Sequence, residues 1–504
     1  MLTRTLKSRL SVRSLPLHAH LRTAATSAKV QKKEGDISDA FASLSGLHFG
    51  PLDARFASVK ARLITGREGA VRESWYRLLA SLRKEIEEIA TLGPKAIPSI
   101  DFADLSSPSQ GFGADFKKRG VAVIRNVVPS SQALQWKEDL RDYITANPQT
   151  KAFPPENPQV YELYWSSAQL AARAHPNLLA TQRFLMSHWH STDPNALVSA
   201  AHPMSYADRL RMRLPGDNRF ALGPHIDGGS CERWEPEGYG RGGVYNAIFD
   251  GSWEEYEPWE ASCRLPVVSD LYQGVGACSM FRMFQGWLSM STTGPHEGTL
   301  LVNPLLKHTT AYLLLRPFFT AKHSPSSTRA DDESYLDPKN WDLEPEPTSW
   351  LQGATPGRGQ ELHPTLHPHL QLPRSMVHVP TVNPGDYVAW HCDSIHAVDS
   401  VHAGATDSSV LYIPACPLTV ANAEFVARQR GAFLSGWPGP DFGGGVGESV
   451  HVGRLGVESL HGFSADGEGM QAMGLEAWDS QVEGLEGGQR ELMDRTNKVL
   501  GFYD

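Results

Sequence analysis

The sequence predicts a mainly β domain with flanking helices. Three observations lead there. Short apolar stretches suited to strands recur between about residues 205 and 415, around 244–249, 278–290, 299–303, 311–316, 386–391, 395–401 and 409–413. Upstream, residues 67–92 carry Trp75, Leu78, Leu79, Leu82, Ile86 and Ile89 at helical spacing, and Gly93-Pro94 closes that helix. Between them, Arg119–Val128 reads as a strand, and Pro129-Ser130-Ser131 reads as a cap before a helix running through Tyr143.

The remaining segments follow from composition. Residues 166–190 read as helical. Residues 321–375 are rich in Pro, Ser, Asp and Glu, with little periodicity, and read as an insertion or lid. Its His363, His367 and His369 are separated by prolines that prevent a shared helical face, so a metal site there is disfavoured. Residues 435–466 are Gly-rich but lack both the strand of a dinucleotide fold and a following G-K-[ST]. A flexible connector to an amphipathic stretch at 468–500 is the expectation. The domain division is 1–33 as a transit peptide or tail, 45–430 as the main domain and 431–504 as connector and helical extension.

Bulk properties exclude several classes. The chain has 504 residues, 40% hydrophobic and 20% charged, which suits a soluble enzyme. A formal charge of −9 argues against a nucleic-acid binder. No apolar run reaches bilayer length, so no membrane partner is expected. The five cysteines are scattered without a C-x-x-C pair, which favours a reducing compartment. The first 33 residues hold eight Lys or Arg and no Asp or Glu, with Leu2, Leu6 and Leu10 on one helical stripe. That composition predicts mitochondrial targeting, otherwise a cytoplasmic protein with a basic tail.

The chemistry concentrates in His225-Ile226-Asp227 and a distant His396. The first and third residues of an H-x-D triplet point the same way on a strand. Two imidazoles and one carboxylate can bind one face of Fe(II) and leave three positions open. The distal piece, Pro384-Gly-Asp-Tyr-Val-Ala-Trp-His-Cys-Asp-Ser-Ile-His-Ala-Val398, reads as turn, strand, short loop and returning strand. His391 rivals His396 as third ligand; otherwise it is a neighbouring group or a buried His bonded to a carbonyl. Asp386 is expected to bond backbone amides, and Cys392 not to ligate. Glu232, Arg233 and Trp234 could line the pocket.

These segments, with Arg119-Gly-Val-Ala-Val-Ile-Arg125, Pro158-Gln-Val-Tyr-Glu-Leu-Tyr-Trp165, Phe281-Arg-Met-Phe-Gln-Gly-Trp287 and Leu411-Tyr-Ile-Pro-Ala415, resemble the 2-oxoglutarate/Fe(II)-dependent dioxygenases of the phytanoyl-CoA type. More closely, the chain is similar to the bacterial and fungal domain-of-unknown-function family 1479. The resemblance implies a double-stranded β-helix (jelly-roll, cupin-like) core with an N-terminal helical region. It also implies His225, Asp227 and His396 as iron ligands, and 2-oxoglutarate and O2 as co-substrates. The implied reaction is hydroxylation of a small molecule with release of succinate and CO2. One feature departs from the pattern. Many relatives place an Arg about ten residues after the distal His to bind the far carboxylate of 2-oxoglutarate, whereas residues 397–427 contain neither Arg nor Lys. Arg282 is the first candidate for that cation, Arg316 the second and Lys307 the third, with Tyr412 facing inward beside it. A non-catalytic metabolite-binding descendant and a cupin-like isomerase or hydrolase are the competing readings.

Overall fold

The computed structural model describes residues 37–503, apart from 276, 326–331, 465–466 and 486. The expected targeting segment, 1–33, lies outside the described residues. Two facing sheets form the centre. The larger has eight strands in the spatial order Ser99–Asp101, Val121–Arg125, Tyr387–His391, Phe284–Ser289, Ser408–Tyr412, Leu210–Arg213, Val160–Tyr161 and Ala152–Phe153. The smaller has five, in the order Gln360–Glu361, His225–Ile226, His396–Val398, Leu300–Val302 and Val377–His378. From residue 210 to residue 412 the chain passes back and forth between the two sheets, and most pairings are antiparallel.

The long helix spans Glu68–Leu92, and its buried stripe includes Trp75, Leu78, Leu82, Ile86 and Ile89. Trp75 is fully buried and stacks on Phe319 at 4.3 Å. Truncating such a ring costs about 3–5 kcal/mol. The expected strand at Arg119–Val128 is Val121–Arg125, and the next helix is Ser130–Ala146. The Ser130 hydroxyl donates to the Pro384 carbonyl instead of capping that helix. Residues 166–190 form two helices, Ser167–Arg173 and Pro176–Met186, the first capped by Ser166. Gly385 adopts φ +92°, and a Cβ there would lie 1.9 Å from the Val128 carbonyl oxygen, so the Pro384-Gly385 turn requires glycine.

Four expectations fail. Residues 244–249 are not a strand; Asn246–Phe249 is a short helix. The expected strand at 311–316 is the end of the helix Leu306–Leu315, continued as a 3-10 turn over Arg316–Phe318. Residues Thr309 to Leu315 are all buried, and an apolar run buried all round has no periodicity to separate helix from strand. The third concerns 321–375. It is partly built into the fold: Trp341–Leu343 pairs with Phe319–Ala321, and Gln360–Glu361 pairs with His225–Ile226. The fourth is the Gly-rich connector, whose described part is held in place. The Asp441 carboxylate accepts from Tyr206 and Ser279, and the buried Glu448 carboxylate accepts from the amides of Tyr164 and Trp165. Beyond it, Gly487–Val499 is the terminal helix and packs on Val420–Ser435. Among the described residues no helix is long and apolar enough to cross a membrane.

Candidate metal centre

His225 and His396 are direct cross-strand partners in the five-stranded sheet. Opposite residues in an antiparallel pair hold their Cβ atoms about 5 Å apart, so the rings meet; their centroids lie 4.1 Å apart. Asp227, just past the first strand, brings its carboxylate 3.7 Å from His225 Nε2 and 3.8 Å from His396 Nε2. One ligand atom from each residue falls within 4.8 Å of the others.

The hydrogen bonds prepare these atoms to bind a metal. His225 Nδ1 lies 2.7 Å from the Gly223 carbonyl, and His396 Nδ1 lies 3.1 Å from the Ser394 carbonyl. A carbonyl only accepts, so each Nδ1 carries the proton and each Nε2 presents its lone pair to the shared space. Burial, reinforced by neighbouring His225, pushes His396 down to about 3, so it is neutral at physiological pH. Burial alone would raise the Asp227 carboxyl, but His225, His396 and Arg282 outweigh it and hold the group below its ordinary range. Two imidazole nitrogens and one ionised carboxylate oxygen are the donor set that suits Fe(II).

A buried ionic network fixes the backbone of Asp227. Arg233 Nη2 donates to the Asp227 carbonyl at 3.0 Å. Arg233 is held by Asp393 at 2.7 Å, and Asp393 also binds Arg264 at 2.6 Å. Both Tyr245 and Tyr256 hydroxyls donate to the same carboxylate. Burial would raise the Asp393 carboxyl, but Arg264 and Arg233 drive it far below the usual range. Glu232, Arg233 and Trp234 therefore support the centre from behind and do not line the cavity. Trp234 donates to the Leu314 carbonyl and Glu232 accepts from the Ser230 amide.

His391 has no nitrogen left for a metal. Nε2 donates to the Pro258 carbonyl at 3.0 Å and Nδ1 accepts from the Asp393 amide at 3.1 Å. Its ring stacks on Trp189 at 4.7 Å. Asp386 accepts from the amides of Asn126 and Asn383, as expected of a turn carboxylate, and also pairs with Arg125. His363, His367 and His369 do not group as ligands among the described residues. His369 instead packs against Trp75, Tyr312 and Trp341.

A cavity of about 160 Å³ opens onto the triad between the two sheets. The larger sheet contributes Arg211, Gln285, Trp287, Val410 and Tyr412, and the smaller contributes Leu300 and Val398. Of the expected co-substrate residues, Arg282 and Tyr412 line it. Arg282 lies two residues before the Phe284–Ser289 strand and is not part of it. Its guanidinium lies 3.9 Å from Asp227 Oδ2 and 5.6 Å over the Tyr206 ring. Arg316 and Lys307 lie elsewhere. Arg316 donates to the carbonyls of Leu366 and Phe319 and packs on Trp341, and Lys307 donates to the Glu254 carbonyl.

Two contributors escape sequence reasoning. Arg211 enters the cavity from the Leu210–Arg213 strand, holding Gln159 and the Phe220 carbonyl through Nη2 while its Nε has no partner. Phe41 packs edge-on against His225 at 4.9 Å, and Arg358 holds the Asp39 carbonyl at 2.5 Å, so residues 37–41 cover part of the cavity. Neither residue sits in a motif.

The Gig2-like family model matches residues 50–475. The chain belongs to the Gig2-like family, also called DUF1479. The crystal structure of GlcNAc Inducible Gene 2, GIG2, from Candida albicans superimposes with a TM-score of 0.78 at 32% identity, covering 90% of this chain and 96% of that one. The crystal structure of the Escherichia coli protein JW0805 superimposes with a TM-score of 0.69 at 30% identity, covering 84% and 98%. Escherichia coli (strain K12) YbiU is 30% identical over 391 residues, 74% of this chain and 86% of that protein. The matched region contains the whole triad.

Proposed function

We propose that this Gig2-like protein is a non-haem Fe(II), 2-oxoglutarate-dependent oxygenase acting on a small molecule. The observation that carries the reading is the triad itself: His225 and His396 offer free Nε2 lone pairs beside an ionised Asp227, at the edge of a cavity. Two facing sheets between which the chain alternates support it, because the jelly-roll core of this reading needs that arrangement. His225, Asp227 and His396 would hold the iron. Together with 2-oxoglutarate and O2, the bound ion supplies the oxidising power for a C–H bond, with succinate and CO2 released.

The chain's own groups do the rest. Arg233 fixes the Asp227 backbone, and the Gly223 and Ser394 carbonyls fix the imidazole tautomers. Apolar walls from Trp287, Leu300, Val398 and Val410 restrict water. Four arginines line the cavity; Arg209 is paired with Asp208 and Arg358 holds the Asp39 carbonyl, which leaves Arg211 and Arg282 to weigh. We assign the far carboxylate of the co-substrate to Arg211, with Tyr412 on the neighbouring strand. Arg282, 3.9 Å from the Asp227 carboxylate, is beside the metal-binding group, whereas the far end of a five-carbon diacid lies several bonds away. Its role is to orient that carboxylate and the anionic end bound next to it.

The lack of a basic residue in 397–427 keeps one competitor open, a metabolite-binding protein without turnover. A metalloenzyme using another divalent ion for isomerisation or hydrolysis is the other. One experiment separates all three. The full chain is reconstituted anaerobically with Fe(II), then supplied with 2-oxoglutarate, O2 and a panel of metabolites, and succinate is measured. Metabolite-stimulated succinate is the expected result. Binding without succinate favours the first competitor, and turnover without 2-oxoglutarate consumption favours the second.

A further inference from the structure

We propose a second metal site, of the zinc type, formed by His296, His378 and Asp399. Each offers a ligand atom, and the three atoms fall within 4.8 Å of one another. His378 Nε2 lies 2.6 Å from Asp399 Oδ1, and the His296 and His378 ring centroids are 4.3 Å apart. Asp399 Oδ2 accepts from the Thr299 amide at 3.1 Å and Oδ1 faces His378 Nε2, so a metal would bind by displacing the proton between Oδ1 and that nitrogen.

The site is separate from the triad, on the other side of the same sheet. His396 and Val398 line the cavity. Strand alternation turns Ala397 away from it, and Ala397, Leu301 and His378 lie in one cross-strand row on that outer face. Asp399 continues the His396–Val398 strand by one residue. His296 comes from a tight turn and adopts φ +68°, a left-handed conformation unfavourable for a non-glycine residue. The turn is pinned by the Ala403 amide on the His296 carbonyl and by the Glu297 carboxylate on the Gly294 amide. This places an exposed imidazole over a half-buried one.

Two imidazoles and one carboxylate suit Zn(II), with water in the fourth position. Zinc–ligand bonds of about 2.0–2.1 Å separate tetrahedral ligand atoms by about 3.3 Å, so the His378–Asp399 contact must open from 2.6 Å while His296 closes on the pair. His296, at the surface, can move to do so. Occupancy would tie the 293–299 turn to the sheet, and Thr293, Gly298 and Thr299 of that turn line the cavity.

The test is metal stoichiometry. Chelator-stripped full-length protein is titrated with Zn(II) against a chromogenic chelator, and bound metal is counted by mass spectrometry after desalting. Wild type should bind two equivalents, His296→Ala and His378→Ala one each, and His396→Ala one. The weaker site should lose more than about 100-fold in affinity in His296→Ala, beyond what losing an outer hydrogen-bond partner costs. His296 is exposed, so its replacement does not threaten folding. One equivalent in wild type, lost in His396→Ala and kept in His296→Ala, overturns the second site and leaves the triad intact. One equivalent lost in His296→Ala and kept in His396→Ala supports this site and sinks the triad. Two equivalents unaffected by His296→Ala and His378→Ala overturn the proposal.

Discussion

Arg211 sits directly across the sheet from Val410. That register explains how the cavity has a deep cation although no Arg or Lys follows His396 for thirty residues. Ser408–Tyr412 is the strand on which a basic residue is expected, and its cavity-lining positions are Ser408, Val410 and Tyr412. The adjoining strand supplies the guanidinium from next door. Removing one partner of a buried charge pair costs about 3–5 kcal/mol, and each 1.4 kcal/mol is tenfold. Arg211→Ala is therefore expected to raise the 2-oxoglutarate concentration for half-maximal succinate release at least a hundredfold, with Arg211→Lys intermediate. If Arg211→Ala behaves as wild type while Arg282→Ala shows the hundredfold rise, Arg282 is the carboxylate partner.

The triad and His391 should separate cleanly. His225→Ala, Asp227→Ala and His396→Ala should each fail to retain Fe(II) through desalting. His391→Ala should retain it, because both nitrogens of His391 are spent on Pro258 and Asp393. The cost of His391→Ala should appear in stability, at about 3 kcal/mol for a buried stacked ring and its hydrogen bond. Iron content and a denaturant midpoint measured on the same samples decide it. Metal loss in His391→Ala alone contradicts the assignment.

Asp393 holds two buried arginines, one of which reaches Asp227. Asp393→Asn keeps the shape but leaves Arg233 and Arg264 without their counter-charge. Breaking a buried pair in this way costs about 3–5 kcal/mol. Because Arg233 also holds the Asp227 carbonyl, metal affinity should fall about 10–100-fold in protein that still folds. An unchanged melting temperature together with unchanged iron affinity would show that the network is dispensable.

What was legible in the sequence follows physical range. His225 and Asp227 declare themselves because strand alternation is local, whereas the pattern leaves His391 and His396 as rivals and only the family resemblance favours His396. The Glu68–Leu92 helix is legible because one face is wet. The Leu306–Leu315 helix is not, because every side is dry. Arg211 and Phe41 were invisible for a different reason. Their roles come from register and packing between segments far apart in the chain, and nothing in their own neighbourhood marks them.

The N-terminus carries its own expectation. The basic, acid-free first 33 residues should take an attached reporter into mitochondria, with the mature chain starting near residues 25–35. Residues 37–41 cover the cavity, so cleavage there would leave the site whole. An intact N-terminus on cytosolic protein contradicts the address and leaves the enzymatic reading untouched.

Acid should unfold the metal-free protein through its histidines. Burial pushes His367, His369 and His391 each down to about 3 from an ordinary value of 6.5. All three are buried. Their folded values lie below their unfolded ones, so between pH 6.5 and 3 the unfolded chain binds protons that the folded chain refuses. The stability they confer is fully present above pH 6.5 and is lost as pH falls. At pH 5 the loss is about 2 kcal/mol for each, roughly 6 kcal/mol together, which is comparable to the whole stability of a domain. The buried acids that are held below their ordinary range, Asp393 among them, lose stability in the same direction but at lower pH. The melting temperature of chelator-treated protein should therefore fall steeply between pH 6.5 and 5. Replacing His367, the most enclosed of the three apart from His391, with Gln should flatten that slope by about one proton's worth. A melting temperature constant from pH 7 to 5 would mean that these imidazoles reach solvent before the fold gives way.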